Sequence, residues 1–189
     1  VAKRIKFLHP LPIIPKGENN WIVTANFTEV RSVLLEYGFL KLFLMLKIAP
    51  DVPTDIGFDV ICYRNCMEFF MERCDPYPYR AGSFCHEKVA LRLKECLRLM
   101  HRYHLCHKDI KPANVLFSQS LQGYVFCDFG ISTTTFEVPG CLTDTVREGT
   151  PGFMSPRMES LREGGGLVDL YHNDAYALSV TLKISVERS

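Results

Sequence analysis

No stretch of the 189 residues approaches the roughly 18 consecutive apolar positions that a membrane-spanning helix requires. The most hydrophobic run, residues 39–48, is interrupted by Lys41 and Lys47 and reads as core. Charge of one sign is also missing. The 22 Lys and Arg residues nearly balance the 21 Asp and Glu residues, and a formal net charge of +1 offers no field to attract a nucleic-acid backbone or an anionic membrane. No G-x-G-x-x-G occurs, so the common glycine-rich cradle for phosphates is absent from these residues. The eight cysteines lack paired zinc spacing, and no signal-peptide pattern precedes them, so free buried thiols are expected rather than disulfides. His101, His104, Cys106 and His107 crowd together, but at a helix end and in a loop, where a metal is not the expected reading. The chain opens on Val1 rather than methionine, which leads to the expectation of a longer product.

What is present is an ordinary globular composition, 47% apolar and 23% charged, in a chain long enough for one domain with a core. Residues 1–7 alternate apolar and basic side chains and predict a strand. Residues 9–20, with three prolines, predict a loop. Val30, Val33, Leu34, Tyr37, Leu40 and Leu44 recur at helical spacing, with Gly38 as a weak point. Residues 58–62 and 67–71 predict an antiparallel strand pair, ended by Pro76 and Pro78. Residues 87–103 carry the clearest helical pattern, with Val89, Leu91, Leu93, Cys96, Leu97, Leu99 and Met100 as its apolar positions. Short strands are expected at Leu105-Cys106, Val115-Leu116-Phe117 and Tyr124-Val125-Phe126-Cys127. Residues 131–146 are rich in threonine and lack a long apolar pattern, and Gly164-Gly165-Gly166 predicts a flexible link.

The chemistry-bearing residues concentrate in His107-Lys-Asp-Ile-Lys-Pro-Ala-Asn114 and in Cys127-Asp-Phe-Gly130. Two carboxylates, Asp109 and Asp128, flank a lysine, an asparagine and an apolar run. These residues resemble the catalytic loop H-R-D-x-x-x-x-N and the D-F-G loop of eukaryotic protein kinases, with Lys108 in the place of the usual arginine. Gly149-Thr-Pro-Gly-Phe-Met-Ser-Pro156 is similar to the segment that closes the activation loop of serine/threonine kinases, with Arg157 where that family has glutamate. Asp174-Ala-Tyr-Ala-Leu-Ser-Val180 resembles the F helix, whose aspartate accepts bonds from the catalytic-loop backbone.

The resemblance implies an α+β, two-lobed kinase-like fold: residues 1–74 as a small β-rich N-lobe remnant with the hinge, and residues 75–189 as a mainly helical C-lobe ending after the F helix. It implies transfer of the γ-phosphate of ATP to a serine or threonine hydroxyl of a protein substrate, work that rests on positioning and charge stabilisation. Asp109 would be the base, Lys111 would contact the transferred group, and Thr150 would tie the substrate platform to both. Asn114 and Asp128 would hold Mg²⁺, which prefers hard oxygen ligands. Around ATP, Lys3 would meet the phosphates with Glu36 as its partner and Glu29 as the rival. Glu72 and Cys74 would offer hinge backbone to the adenine, with Met71 as gatekeeper and Leu116 beneath the ring. His107 and Phe129 would pack together with Leu40 nearby. A phosphate in the threonine-rich segment, with Thr145 favoured by position, would seek the cation at Lys108, which lacks arginine's two-point fork. Residence in the cytoplasm or nucleus is expected from the family and the missing targeting signals, and neither a nucleic-acid nor a membrane partner is expected from the charge and the apolar pattern; the oligomeric state is left open. The absent glycine loop and Arg157 keep two alternatives open, a kinase-fold binding module with little catalysis and an inactive fragment.

Overall fold

In the computed structural model, the residues described are 2–6, 13–15, 21–23, 35–36, 38–39, 60–62, 66–70, 73–76, 86–135 and 142–187. The first part is a small sheet. Strand β1 (Ala2–Lys6) lies antiparallel to β5 (Cys66–Phe70), which in turn pairs with β4 (Val60–Cys62), in the order β1-β5-β4. A separate antiparallel pair is formed by β2 (Ile13–Pro15) and β3 (Trp21–Val23), the first of which falls within residues 9–20, expected to be loop. Residues 35–36 and 38–39 are helical, with Glu36 and Phe39 buried.

The rest is built around two long helices, α1 (His86–Arg102) and α3 (Leu170–Glu187). Helix α1 forms because its apolar residues recur on one side, and Leu93, Cys96, Leu97 and Met100 are buried along it. Leu91 is instead 61% exposed, since two residues before Leu93 is nearly the opposite side of a helix. Glu87 in its first turn and His101 and Arg102 in its last complement the helix dipole. Between the long helices come β6 (Asp75–Pro76), β7 (Leu105–Cys106), β8 (Val115–Ser118), β9 (Gly123–Phe126) and β10 (Thr133–Thr134). Strand β8 sits between β6 and β9, and β10 pairs with β7.

The core joins α1, α3 and these strands through Leu93, Met100, Leu105, Phe126, Phe129 and Leu178. Phe39 reaches this core, its ring 6.4 Å from that of Phe129 and nearly parallel to it. The expected neighbour, Leu40, lies outside the described residues. Gly166 does not sit in a slack link: it begins β12 (Gly166–Asp169), which pairs with β11 (Leu142–Thr145). The short helix α2 (Pro156–Glu159) is capped by Ser155, whose side chain accepts from the Met158 N–H. Cys74, Cys96, Cys106 and Cys127 are free. Among the described residues, no helix is long and apolar enough to cross a membrane.

Candidate active site

The loop after β7 is held from below by one buried carboxylate. Asp174 on α3 accepts from the backbone N–H of His107 and of Lys108, both at 2.8 Å, and lies 3.2 Å from His101 Nε2. Its two oxygens therefore fix two successive peptide units directly before Asp109. Lys108 takes φ +69° there, a left-handed conformation that a lysine adopts only when its surroundings impose it.

Asp109 is the hub of the loop. Its Oδ1 accepts from Thr150 Oγ1 at 2.6 Å, and its Oδ2 accepts from Lys111 Nζ at 2.7 Å and from Asn114 Nδ2 at 3.0 Å. Thr150 also accepts from Lys111 Nζ at 2.8 Å. Lys111, Asn114 and Thr150 are thus gathered on one half-buried carboxylate, although Thr150 is remote from the others in sequence. Asn114 ends a 3-10 turn (Pro112–Asn114), and its Nδ2 donates also to the Asp109 carbonyl at 2.8 Å. Both described bonds of this side chain use nitrogen, so the amide oxygen is the atom left to meet a ligand.

Asp128 is placed through the residue before it. The Cys127 N–H donates to the Asn114 carbonyl at 3.0 Å, and the Cys127 carbonyl accepts from His107 Nε2 at 3.0 Å. With both backbone groups of Cys127 held, Asp128 follows at φ +65°, exposed, while Phe129 turns into the core with its ring 5.0 Å from His107. An exposed carboxylate and an amide oxygen are hard donors of the kind Mg²⁺ takes. The residues therefore fit that ion.

His107 is fully buried, and burial is the main influence pushing its imidazole below the ordinary 6.5; Asp174, the Cys127 carbonyl, Asp109 and Asp128 oppose it more weakly. One neutral tautomer satisfies both ring nitrogens: Nε2 donates to Cys127, and Nδ1 accepts from the Asp109 N–H at 3.3 Å. The unfolded chain protonates this histidine as pH falls through about 6.5, whereas the folded chain resists. Its contribution to stability is complete above that pH and is lost progressively below it. Thermal melts between about pH 7.5 and 5 are expected to show Tm falling with acid, with a shallower fall in His107→Phe. An equally steep fall in that variant would remove His107 from the account.

Of the residues expected around ATP, Cys74 is half-buried and adjoins β6, whose Pro76 pairs with Leu116 of β8, so the hinge-like segment and Leu116 are neighbours. Glu36 is buried at 4% exposure on its helical turn. The Lys3 backbone pairs with Phe69, but its side chain, and Glu72, Met71 and Glu29, lie outside the described residues.

A model of the protein kinase domain matches residues 77–187, more than half of the chain. The chain belongs to the protein kinase domain family. It is similar to the serine/threonine-protein kinase mrck-1 of Caenorhabditis elegans, 27% identical over 85% of this chain and 10% of that protein. It is also similar to the dual specificity mitogen-activated protein kinase kinase jkk-1 of the same organism, 26% identical over 79% of this chain and 31% of that protein. The serine/threonine-protein kinase AfsK of Streptomyces griseus is 30% identical over 61% of this chain and 13% of its own length. The chain thus spans between a tenth and a third of these relatives.

Within this kinase domain, three contacts were not legible in the motifs. Lys108 Nζ pairs with Glu148. Arg157, in the position where glutamate was expected, donates from Nε to the Leu167 carbonyl at 3.3 Å. Glu159 accepts from the Gly152 N–H at 2.8 Å and so braces the turn that comes after Thr150. His101, Cys106 and Asp174 lie within ligand distance of one another, as a metal site would require. Burial, and Asp174 next, push the Cys106 thiol upward and keep it protonated, and the Asp174 oxygens are committed to backbone, so the cluster reads as structural. His101 stacks on Tyr171 at 4.3 Å, and the Tyr171 hydroxyl donates to the His101 carbonyl, which completes the brace.

Proposed function

We propose that this kinase domain transfers the γ-phosphate of ATP to a serine or threonine hydroxyl of a protein substrate. The observation that carries the reading is the Asp109 carboxylate, oriented by donors from Lys111, Asn114 and Thr150. In this reading Asp109 accepts the proton of the attacking hydroxyl, and general bases of this kind typically contribute about 10²–10⁴-fold. Lys111 brings a positive charge beside that carboxylate, where negative charge builds up on the group in transit. Thr150 keeps the segment that would carry the substrate in register with the loop. A Mg²⁺–ATP complex held by Asn114 Oδ1 and Asp128 would supply the phosphoryl group and neutralise its charge. Cys74, Glu72 and Leu116 would border the adenine, and Lys3 with Glu36 would border the phosphates.

Support for serine/threonine rather than tyrosine specificity comes from Lys111 and Thr150 meeting at Asp109, together with the serine/threonine kinases among the relatives. Calorimetry tests the nucleotide half of the proposal. Mg²⁺–ATP is expected to bind the chain, and Asp128→Asn to weaken that binding about tenfold or more, one charged ligand being lost at the ion, a difference of about 1.4 kcal/mol. Equal binding by the variant would remove Asp128 from the ion; no binding by the parent chain would defeat the reading.

A further inference from the structure

Lys108 is an unusual lysine. It is 5% exposed, its backbone N–H is spent on Asp174, and its ammonium is directed at Glu148, forty positions further along the chain. A buried ammonium is costly unless a counter-charge meets it, and Glu148 meets it. Two residues later, Thr150 bonds Asp109 and Lys111. Between them, Gly149 at φ +132° lies against the loop so closely that a Cβ would stand 3.0 Å from the Lys108 carbonyl oxygen and 2.9 Å from Met154 Cγ. Residues 148–150 therefore dock on residues 108–111 as one strip, with an ion pair at one end and the Thr150 hydroxyl at the other.

Upstream, the backbone of the threonines in β10 and β11 is held by strand pairing, and the Thr135 hydroxyl has partners of its own. Thr133 and Thr134 pair with β7, Thr135 Oγ1 hydrogen-bonds at the His104 carbonyl and the Tyr171 hydroxyl, and Thr145 is paired with Gly166 in β11. A phosphate at Thr145 would find the charge of Lys108 already compensated.

We propose that Glu148 is a positioning residue, a permanent counter-charge for Lys108 that seats the Thr150 strip on the Asp109 loop without a phosphate in residues 133–146. Its effect on turnover rests on the proposed kinase function; its effect on the strip does not.

Hydrogen exchange on the 189-residue chain separates the two. Glu148→Gln is expected to speed exchange of the amides of Gly149, Thr150, Gly152 and Phe153 about tenfold or more and to leave those of α1 unchanged, because it strands the Lys108 charge. The double variant Lys108→Met/Glu148→Gln, with no charge to strand, is expected to lie between Glu148→Gln and the parent. Turnover of the parent is expected to stay within about twofold after phosphatase treatment and in Thr145→Val, while Glu148→Gln lowers kcat about 10–100-fold with KM for ATP within about twofold. Unchanged exchange in Glu148→Gln, or a parent that loses about tenfold in kcat on dephosphorylation, would overturn the proposal. If Glu148→Gln does not fold, a folded double variant supports it and an unfolded one overturns it. A parent without any turnover counts against the proposed kinase function, and the exchange comparison then decides the role of Glu148 alone.

Discussion

Asp109→Asn is expected to lower kcat for phosphoryl transfer by about 10²–10⁴-fold, the range that removal of a positioned general base usually costs. The substitution hardly changes shape, so the loss would be chemical. An asparagine oxygen can still accept from Thr150, but its amide group would face two donors, Lys111 Nζ and Asn114 Nδ2, where a carboxylate oxygen now accepts from both. The ion pair of Lys111 is lost, and no group remains at that point to take a proton. Nucleotide affinity is expected to change little, since Asp128 and the Asn114 amide oxygen are untouched. Single-turnover kinetics at saturating ATP and protein substrate, with a melting curve to show that the variant is folded, give the answer. A rate within about threefold of the parent would show that the reaction needs no base at Asp109.

The second large effect is on stability. Asp174→Ala is expected to destabilise the chain by about 2–6 kcal/mol, because two buried backbone N–H groups lose their acceptor and each such group costs about 1–3 kcal/mol. That is a large part of the roughly 5–15 kcal/mol typical of a folded domain. For a chain of this size each kcal/mol moves Tm by about 2–4 °C, so a fall of roughly 4–24 °C is expected. The donors belong to His107 and Lys108, so the same substitution frees the backbone directly before Asp109. Asp174→Asn keeps one acceptor oxygen and is expected to fall between parent and alanine. Scanning calorimetry of the three proteins checks the order. A Tm within about 2 °C of the parent for alanine would mean that the loop holds its shape without this carboxylate.

Much of this arrangement was legible along the chain. The periodicity of residues 87–103 predicts a helix, and His86–Arg102 is one, because the repeat that buries Leu93, Cys96, Leu97 and Met100 is a local property. The strands at residues 60–62, 66–70, 105–106, 115–118 and 123–126 arise from short β-prone runs in the same way. The loop motifs marked Asp109, Asn114, Asp128 and Thr150 by residue type and order, and the kinase resemblance marked Asp174 as the acceptor beneath the loop.

What the chain order could not disclose was which polar groups would meet. Nothing near Glu148 in sequence distinguishes it from Arg147 or Glu159 as a surface charge, yet it alone of the three pairs with the buried Lys108. Nothing in a run of three glycines announces that Gly166 will begin a strand against Thr145. That Phe39 meets Phe129 depends on how its helical turn packs, which the repeat alone does not decide. Helical and strand patterns arise from contacts a few residues apart, so they are written locally. Ion pairs and strand partners distant in sequence depend on how the elements pack, and the tertiary structure alone decides them.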